Sequence, residues 1–290
     1  MPNKNDREKM VEKLKRSPAY RIAYYDNDFM DAESCRPVRL QLELLKPELL
    51  FAELGILSTI VVFGGTRIVE PSIAKANVAR LEKRLAAKPD DAQIKTDLRR
   101  AKAVLAKSWY YDEAREFGRL VSVEGQMSGN HNFVVVTGGG PGIMEAANRG
   151  AYDVGAKSIG LNITLPMEQR PNPYISPELC LQFHYFAIRK MHFMLRAKAL
   201  VAFPGGYGTM DEVFEALTLV QTHKVKPLPI VLFGEKYWKK LIDFDYLVEE
   251  GTIGEKDLEL FVYADTAKDA WEYIRYFYQS ELNNNRRQNI

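Results

Sequence analysis

The residues best suited to chemistry lie in a glycine-rich segment and in the helical patterns on either side of it. The segment PGGYGT, residues 204–209, follows an apolar strand pattern and precedes a helical pattern that contains Glu212. Glycines leave backbone N–H groups unhindered, and a helix amino terminus is partly positive, so this turn is suited to a phosphate group. Glu212 lies about one helical turn further on, where a carboxylate can stabilise positive charge or orient water.

Arg189 lies in the helical pattern before that segment. Its planar fork of donors can orient a carboxylate or contact a ribose or a phosphate. Considered alone, Glu212 is an ordinary first-turn glutamate, whose negative charge interacts favourably with the helix dipole. Arg189, considered alone, is an ordinary surface cation. Beyond a phosphate-binding turn, a carboxylate could stabilise positive charge that develops on a bound ligand.

Two further glycine clusters follow strand patterns, FGGTR at 63–67 and GGGPG at 138–142. Parallel strands end at one edge of a sheet, so we expect the three clusters to converge on one ligand. Neither the Walker loop nor the G-x-G-x-x-G dinucleotide fingerprint is present, which argues against ATP hydrolysis and hydride transfer. The predicted substrate-binding residues are Gly64, Gly65, Thr66, Arg67, Gly138, Gly139, Gly140, Met144, Lys190, Gly205, Gly206, Tyr207, Gly208 and Thr209.

The elements that must position these residues alternate regularly along the chain. Strand patterns at 58–65, 133–140, 158–166, 179–185, 199–206, 227–234 and 258–265 are separated mainly by amphipathic helical patterns. Short, nearly continuous apolar strands of this kind are typical of a parallel sheet buried on both faces. The sequence therefore predicts an α/β fold, a Rossmann-like doubly wound parallel sheet with helices on both faces.

The domain organisation predicted from these patterns is one catalytic domain with an addition at each end. Residues 1–50 predict a helical extension that packs on the domain or on a partner subunit, 51–282 the nucleotide-binding domain and 283–290 a flexible tail. Residues 71–120 read as two helices, broken near Pro89–Asp91 because proline cannot continue a helix. We interpret them as a solvated hairpin with leucine and alanine inward.

Composition limits the class of protein. The 290 residues carry 40 basic and 38 acidic side chains, a net charge of +2, so there is no global field for nucleic acid or an anionic membrane. Cys35 and Cys180 exclude a disulfide framework, and we find no signal peptide or membrane-length apolar run. We expect a cytoplasmic protein with no metal site, since four scattered histidines lack ligand spacing.

The segment PGGYGTMDE resembles the PGGxGTxxE motif of the LOG family, long labelled lysine decarboxylases. The Arg189-Lys190 pair, with Arg189 23 positions before Glu212, resembles that family's second motif, and residues 138–151 and 63–67 resemble its other nucleotide-binding segments. The resemblance covers roughly residues 58–265. It implies a phosphoribohydrolase that cleaves a nucleoside 5′-monophosphate into free base and ribose 5-phosphate, with Arg189 and Glu212 catalytic and no cofactor.

The chain departs from plant-type members of that family before the arginine. They read Met-His-Glu-Arg-Lys, whereas this chain reads FAIRK at 186–190, and both its extension and its 71–120 insertion are larger. The resemblance thus favours AMP or a related purine nucleotide, with a cytokinin nucleotide as the alternative substrate. Two other functions stay open: a non-catalytic nucleotide or molybdenum-cofactor carrier on the same fold, and a pyridoxal-phosphate decarboxylase. Apolar helices bearing Tyr207, Phe214 and residues 235–245 favour a homo-oligomer.

Overall fold

The computed structural model describes residues 4–127, 129, 131–166 and 170–288. Backbone proximity divides the chain into two units, Met1–Leu49 and Leu50–Ile290, which are described separately below. Among the described residues, every helix is too short or too polar to cross a membrane.

Seven parallel strands form one sheet in the second unit. They are β1 (Thr59–Phe63), β2 (Val134–Thr137), β3 (Ser158–Ile163), β4 (Cys180–Phe183), β5 (Ala197–Ala202), β6 (Ile230–Phe233) and β7 (Val262–Ala264). Each predicted strand pattern overlaps one of them, and β5 begins two residues before its pattern. The last is much shorter than its pattern, because Glu255–Leu260 forms a 3₁₀ helix instead.

Twelve α-helices are present in the described residues. They are α1 (Lys4–Lys15), α2 (Asn27–Asp31), α3 (Arg36–Glu53), α4 (Pro71–Ala87), α5 (Ala92–Leu105), α6 (Trp109–Gln126), α7 (Ile143–Asp153), α8 (Phe186–Leu195), α9 (Tyr207–Gln221), α10 (Glu235–Leu241), α11 (Phe244–Glu249) and α12 (Ala267–Gln288). The tail predicted over 283–290 overlaps the end of α12, and residues 289 and 290 lie outside the described ones.

The strand order β4-β3-β2-β1-β5-β6-β7 makes the sheet doubly wound, which confirms the predicted fold class. The chain moves outward from β1 through β2, β3 and β4, then returns to place β5 on the other side of β1. The order therefore reverses between β1 and β5, and in open α/β sheets the ligand crevice lies at such a reversal, beyond the carboxyl ends of the strands.

Both faces of the sheet are covered by apolar packing. Along β1, Val61 and Phe63 join one buried cluster, whereas Ile60 and Val62 join the other. All five residues of this strand are buried, so it reads as a continuous apolar run rather than an alternating one. The central strands are thus fixed between two cores, and the loops at their ends start from rigid positions.

The 71–120 segment contains three helices, and not the predicted two. Asp91 caps α5 by accepting a hydrogen bond from the amide of Ile94 at 3.0 Å, so the chain does break where proline and aspartate predicted it. A second break at 106–108, without proline or glycine, separates α6. Only α4 and α5 form the small hairpin, whereas α6 is core: Tyr111 and Phe117 are at most 2% exposed.

The first unit is a run of short helical elements. The helix α1 has no buried residue, and 3₁₀ turns at Pro18–Tyr20 and Ala23–Tyr25 lead to α2. Arg39 of α3 donates hydrogen bonds to the carbonyls of Met30, at 2.5 Å, and Ala32, at 2.7 Å. These bonds tie the end of α2 to the start of α3.

Two glycines let α6 and α7 approach closely. A side chain at Gly118 would collide with the carbonyl of Ala147, and one at Gly150 with the carbonyl of Arg115. Both neighbours are backbone atoms, which cannot rotate away as a flexible side chain would. The spacing of the two helices therefore depends on glycine.

We expect Gly150→Ala to lower the free energy of unfolding by about 1–3 kcal/mol, because the methyl group overpacks the α6–α7 contact. Gly208→Ala is the matched control, since a methyl group there meets open space and alanine favours a helix. Urea unfolding followed by circular dichroism measures both variants. If Gly150→Ala has the same free energy of unfolding as wild type, α6 and α7 can move apart without loss of stability, which contradicts the prediction.

Candidate active site

The three glycine clusters come together at the carboxyl edge of the sheet, after the neighbouring strands β2, β1 and β5. The amide of Phe203 donates to the carbonyl of Phe63, and the amide of Gly65 to that of Pro204, each at 2.9 Å. The amide of Ile143 donates to Gly65 at 3.2 Å. Backbone bonds thus join the loops after all three strands, and their binding of one shared ligand stays a prediction.

The loops after β1 and β5 form one wall of an open groove of about 540 Å³. Its lining residues are Gly65, Thr66, Arg67, Ile68, Ala103, Val104, Lys107, Pro204, Gly205, Gly206, Tyr207 and Tyr237. Arg67 and Lys107 are basic, and none of the described residues that line the groove is acidic. Six of the predicted binding residues share this groove, which suits an anionic group.

The glycine loop before α9 exposes backbone at a helix amino terminus. Gly206 has φ −100° and a side chain there would meet nothing, so the loop is open without left-handed strain. Tyr207, the first helical residue, is 93% exposed. The first amides of a helix lack intrahelical acceptors, so this exposed loop beside the groove is suited to an anion.

The side chain of Thr209, which the sequence predicted to bind substrate, is buried. Its side chain is 6% exposed and packs under Gly205, where any side chain on the glycine would collide with it. The hydroxyl of Tyr237 donates to the carbonyl of Gly205 at 2.6 Å, which holds the loop from the other side. Sequence reasoning missed Tyr237, because a tyrosine 32 residues away carries no local signal.

The GGGPG turn is held by a buried polar network. The hydroxyl of Thr137 accepts from the amide of Gly139 at 3.0 Å and donates to Asn148 at 2.7 Å. The backbone and side-chain amides of Asn172 donate to the carbonyls of Gly139, at 2.9 Å, and Gly140, at 3.1 Å. Neither asparagine was predicted, since sequence alone does not reveal that a polar residue is buried.

Arg189 contacts β3 and the turn that follows β2. Its Nε donates to the carbonyl of Leu161 at 2.7 Å, and its guanidinium lies 5.1 Å from the ring centroid of Phe193. A side chain at Gly138 would stand 2.6 Å from Nη2, so glycine makes room for the arginine. Burial lowers the pKa of Arg189, and the charge of Glu212 opposes that shift.

Glu212 is the buried carboxylate of the site. It is 9% exposed, in the first two turns of α9. Burial raises its pKa from 4.5 to about 7, although the positive charges of Lys190 and Arg189 act in the other direction. The structure therefore brings the two predicted catalytic residues into electrostatic contact, with the carboxylate near its titration point at neutral pH.

Two other predicted residues have mainly structural surroundings. Lys190 is bound by Asp211 at 2.8 Å and Glu215 at 2.9 Å, so its charge joins α8 to α9. Burial alone would lower the pKa of Lys190, but these hydrogen bonds raise it overall. Met144 is half-buried with its sulfur against Gly138. Their assignment to the substrate stays a prediction.

The described residues contain no group of three or more histidine, cysteine, aspartate or glutamate side chains that could hold a metal ion. Arg189, Glu212 and Gly138 do not line the groove beside Tyr207. The described residues thus form two parts of a candidate site: an open groove beside the glycine loop before α9, and the buried carboxylate of Glu212 with the half-buried guanidinium of Arg189.

Comparison with known proteins gives a consistent set of relatives. A family model described as "Possible lysine decarboxylase" matches residues 144–274. Cytokinin riboside 5′-monophosphate phosphoribohydrolase LOG3 of Arabidopsis thaliana is 32% identical over 169 residues, 56% of this chain and 73% of that protein. LOG4 of the same plant is 29% identical over the same shares, and the LOG enzyme of Oryza sativa subsp. japonica is 30% identical, over 56% of this chain and 65% of its own.

The raised pKa of Glu212 makes its contribution to stability depend on pH. Between pH 4.5 and about 7 the folded state keeps a proton that the unfolded state releases, so stability falls as pH rises through this window. We expect Glu212→Gln to be more stable than wild type at pH 8, by on the order of 2–3 kcal/mol, and nearly equal at pH 4.5. Urea unfolding at both pH values measures the difference.

Glu259→Gln is the control, because Glu259 is exposed and so separates the effect of burial from that of the glutamate-to-glutamine exchange itself. If Glu212→Gln differs from wild type by the same amount at pH 4.5 and pH 8, then burial does not perturb Glu212.

Proposed function

Because the chain belongs to the LOG family of phosphoribohydrolases, we propose that it hydrolyses the N-glycosidic bond of a nucleoside 5′-monophosphate, AMP or a related purine nucleotide. The bond between the anomeric carbon and the base nitrogen breaks. The oxygen of water bonds to that carbon, one proton of the water ends on the base, and the products are the free base and ribose 5-phosphate. Residues 51–282 form the single catalytic domain of this proposal.

One observation carries the proposal: the buried carboxylate of Glu212 lies in the electrostatic field of the half-buried guanidinium of Arg189, just beyond a helix amino terminus suited to an anion. Glu212 and Gly208 are four positions apart on one face of α9, about 6 Å along the helix axis. This distance is comparable to the length of a ribose 5-phosphate. A phosphate on the first-turn amides thus brings its sugar toward Glu212.

The 5′-phosphate is proposed to bind the amides of Gly206, Tyr207 and Gly208. The helix dipole of α9 favours the negative charge there, and the exposed guanidinium of Arg67 lies in the same groove. Anchoring the phosphate positions the sugar, and binding energy spent on position lowers the barrier of the chemical step.

Glu212 is proposed to act as the ionised carboxylate. As the base departs, positive charge develops at the anomeric carbon, and a carboxylate beside it stabilises that charge and orients the attacking water. Lys190 and Arg189 both favour the ionised form of Glu212 against the effect of burial, and Arg189 is itself fixed by its bond to Leu161. Burial makes both charges more effective than they would be in water, since little solvent screens them.

We also propose that the enzyme acts as a homo-oligomer. Tyr207 is 93% exposed and Phe214 40% exposed on α9, so this helix offers apolar surface beside the site. The stretch 235–245 contributes less than expected from the sequence, because Trp238 is 0% and Phe244 7% exposed, both in the core. Their burial against the sheet removes them from any interface.

The purified protein should release adenine from AMP with no added metal or cofactor, as detected by chromatography across a panel of nucleoside monophosphates. Adenosine should be cleaved at least 100-fold more slowly in kcat/KM, because it lacks the phosphate that positions the sugar. Equal rates on AMP and adenosine would contradict the phosphate anchor. Binding of nucleotide without release of any base would instead favour the carrier function.

A further inference from the structure

The groove beside the glycine loop is also lined by the helical segment at 71–120. The end of α5 and the turn after it supply Ala103, Val104 and Lys107 to the lining. This segment lies outside residues 144–274, the part of the chain that the family model matches. A helix that the common family region does not contain thus reaches the place where the 5′-phosphate is proposed to bind.

Lys107 is held at the groove by the turn that separates α5 from α6. Its amide donates to the carbonyl of Val104 at 3.0 Å, and its carbonyl accepts from the amide of Tyr110 at 3.1 Å. The next residue, Ser108, is 4% exposed, and its hydroxyl donates to the carbonyl of Leu105 at 2.8 Å. The main chain at Lys107 therefore has a defined position, whereas its side chain is exposed.

Tyr110 fixes this turn to the carboxyl edge of the sheet. Its buried ring packs edge-on against Phe233, the last residue of β6, with 6.1 Å between the ring centroids. A side chain at Gly234, where φ is +90°, would collide with the hydroxyl of Tyr110. The turn that carries Lys107 is thus anchored at the edge of the sheet where the glycine loops also lie.

The side chain of Lys107 contacts the residue that supports the glycine loop. Its Nζ lies 5.9 Å from the ring centroid of Tyr237, whose hydroxyl donates to the carbonyl of Gly205 at 2.6 Å. An exposed cation gains little from an aromatic face. Because the lysine stem is flexible, the ammonium can move from the ring to an anion in the same groove.

The lining of the groove carries positive charge that no acidic side chain in it balances. Lys107 and Arg67 are exposed, and neither side chain forms an ion pair with another residue that the structure describes. By contrast, Lys102 on the same helix α5 is bound by Glu82 at 2.8 Å. A phosphate monoester carries a charge of about −1.5 to −2 at pH 7. Two cations therefore match the charge of one phosphate.

We propose that Lys107 binds the 5′-phosphate of the substrate together with Arg67 and the amides of the glycine loop. This inference rests on the proposed function, because it names a further residue for the same phosphate. A nucleotide gains the attraction of this ammonium, whereas a nucleoside gains none. Lys107 is thus a residue by which the chain selects phosphorylated substrates.

The lysine contributes to binding more than to the chemical step. The reaction changes the bond between the sugar and the base and leaves the charge of the phosphate as it was. The attraction between the ammonium and the phosphate is therefore equal in the ground state and in the transition state. Loss of such uniform binding raises KM and leaves kcat nearly unchanged.

The first test measures the binding of ribose 5-phosphate to the full-length chain by isothermal titration calorimetry. Lys107→Met keeps an unbranched side chain and removes the charge, so the Kd should rise about 10-fold or more. Lys107→Arg should stay within about threefold of wild type, because it restores the charge. Lys95→Met is the matched control, an exposed lysine on α5 outside the groove, and should bind like wild type.

Two outcomes of this titration overturn the proposal. One is a Lys107→Met protein with the wild-type Kd, and the other is a wild type that does not bind ribose 5-phosphate. If Lys107 only packs on Tyr237, its substitution changes the urea unfolding curve and leaves the Kd as it was.

The second test separates this inference from the proposed reaction. With AMP, Lys107→Met should raise KM about 10-fold or more, whereas cleavage of adenosine should change by no more than about twofold. Equal losses on AMP and adenosine, or a loss in kcat alone, overturn the role of Lys107. A wild type that releases no base from any nucleotide refutes the proposed function instead, and the titration with ribose 5-phosphate then decides whether Lys107 binds phosphate.

Discussion

The burial of Glu212 next to Arg189 is the arrangement on which the rest of the site depends. A carboxylate that is 9% exposed loses most of its hydration, and its pKa rises to about 7 as a result. The neighbouring guanidinium offsets part of that cost without removing it. An acid held near its titration point is expensive for stability and useful for chemistry, which is why such groups concentrate in active sites.

The fold maintains this arrangement by close backbone packing at the reversal of the strand order. The loops after β1, β2 and β5 bond to one another through their main chains, and glycine is needed wherever a side chain would displace a neighbour. At Gly138 that neighbour is the guanidinium of Arg189 itself. The network of Thr137, Asn148 and Asn172 then fixes the turn that follows β2. The site is rigid because its supports are main chain and buried amides.

Much of this could be predicted from local sequence signals, and the remainder depends on long-range contacts. Glycine clusters after apolar strands located the loops, and the doubly wound sheet follows from the alternation of strands and helices. The separate helix α6 was missed because its break has neither proline nor glycine. Tyr237 and Asn172 support loops that are far from them in sequence, and the burial of Thr209 and Trp238 becomes visible only after the chain has folded.

The pH dependence of base release by wild type and Glu212→Gln measures whether the ionised carboxylate of Glu212 takes part in the reaction. If the ionised carboxylate stabilises the transition state, kcat for a nucleoside 5′-monophosphate rises with pH through about 7 and then levels, following the titration of Glu212. In Glu212→Gln, kcat should be at least about 100-fold lower and flat over this range. A Glu212→Gln enzyme that keeps most of its kcat and the wild-type pH profile would contradict the account.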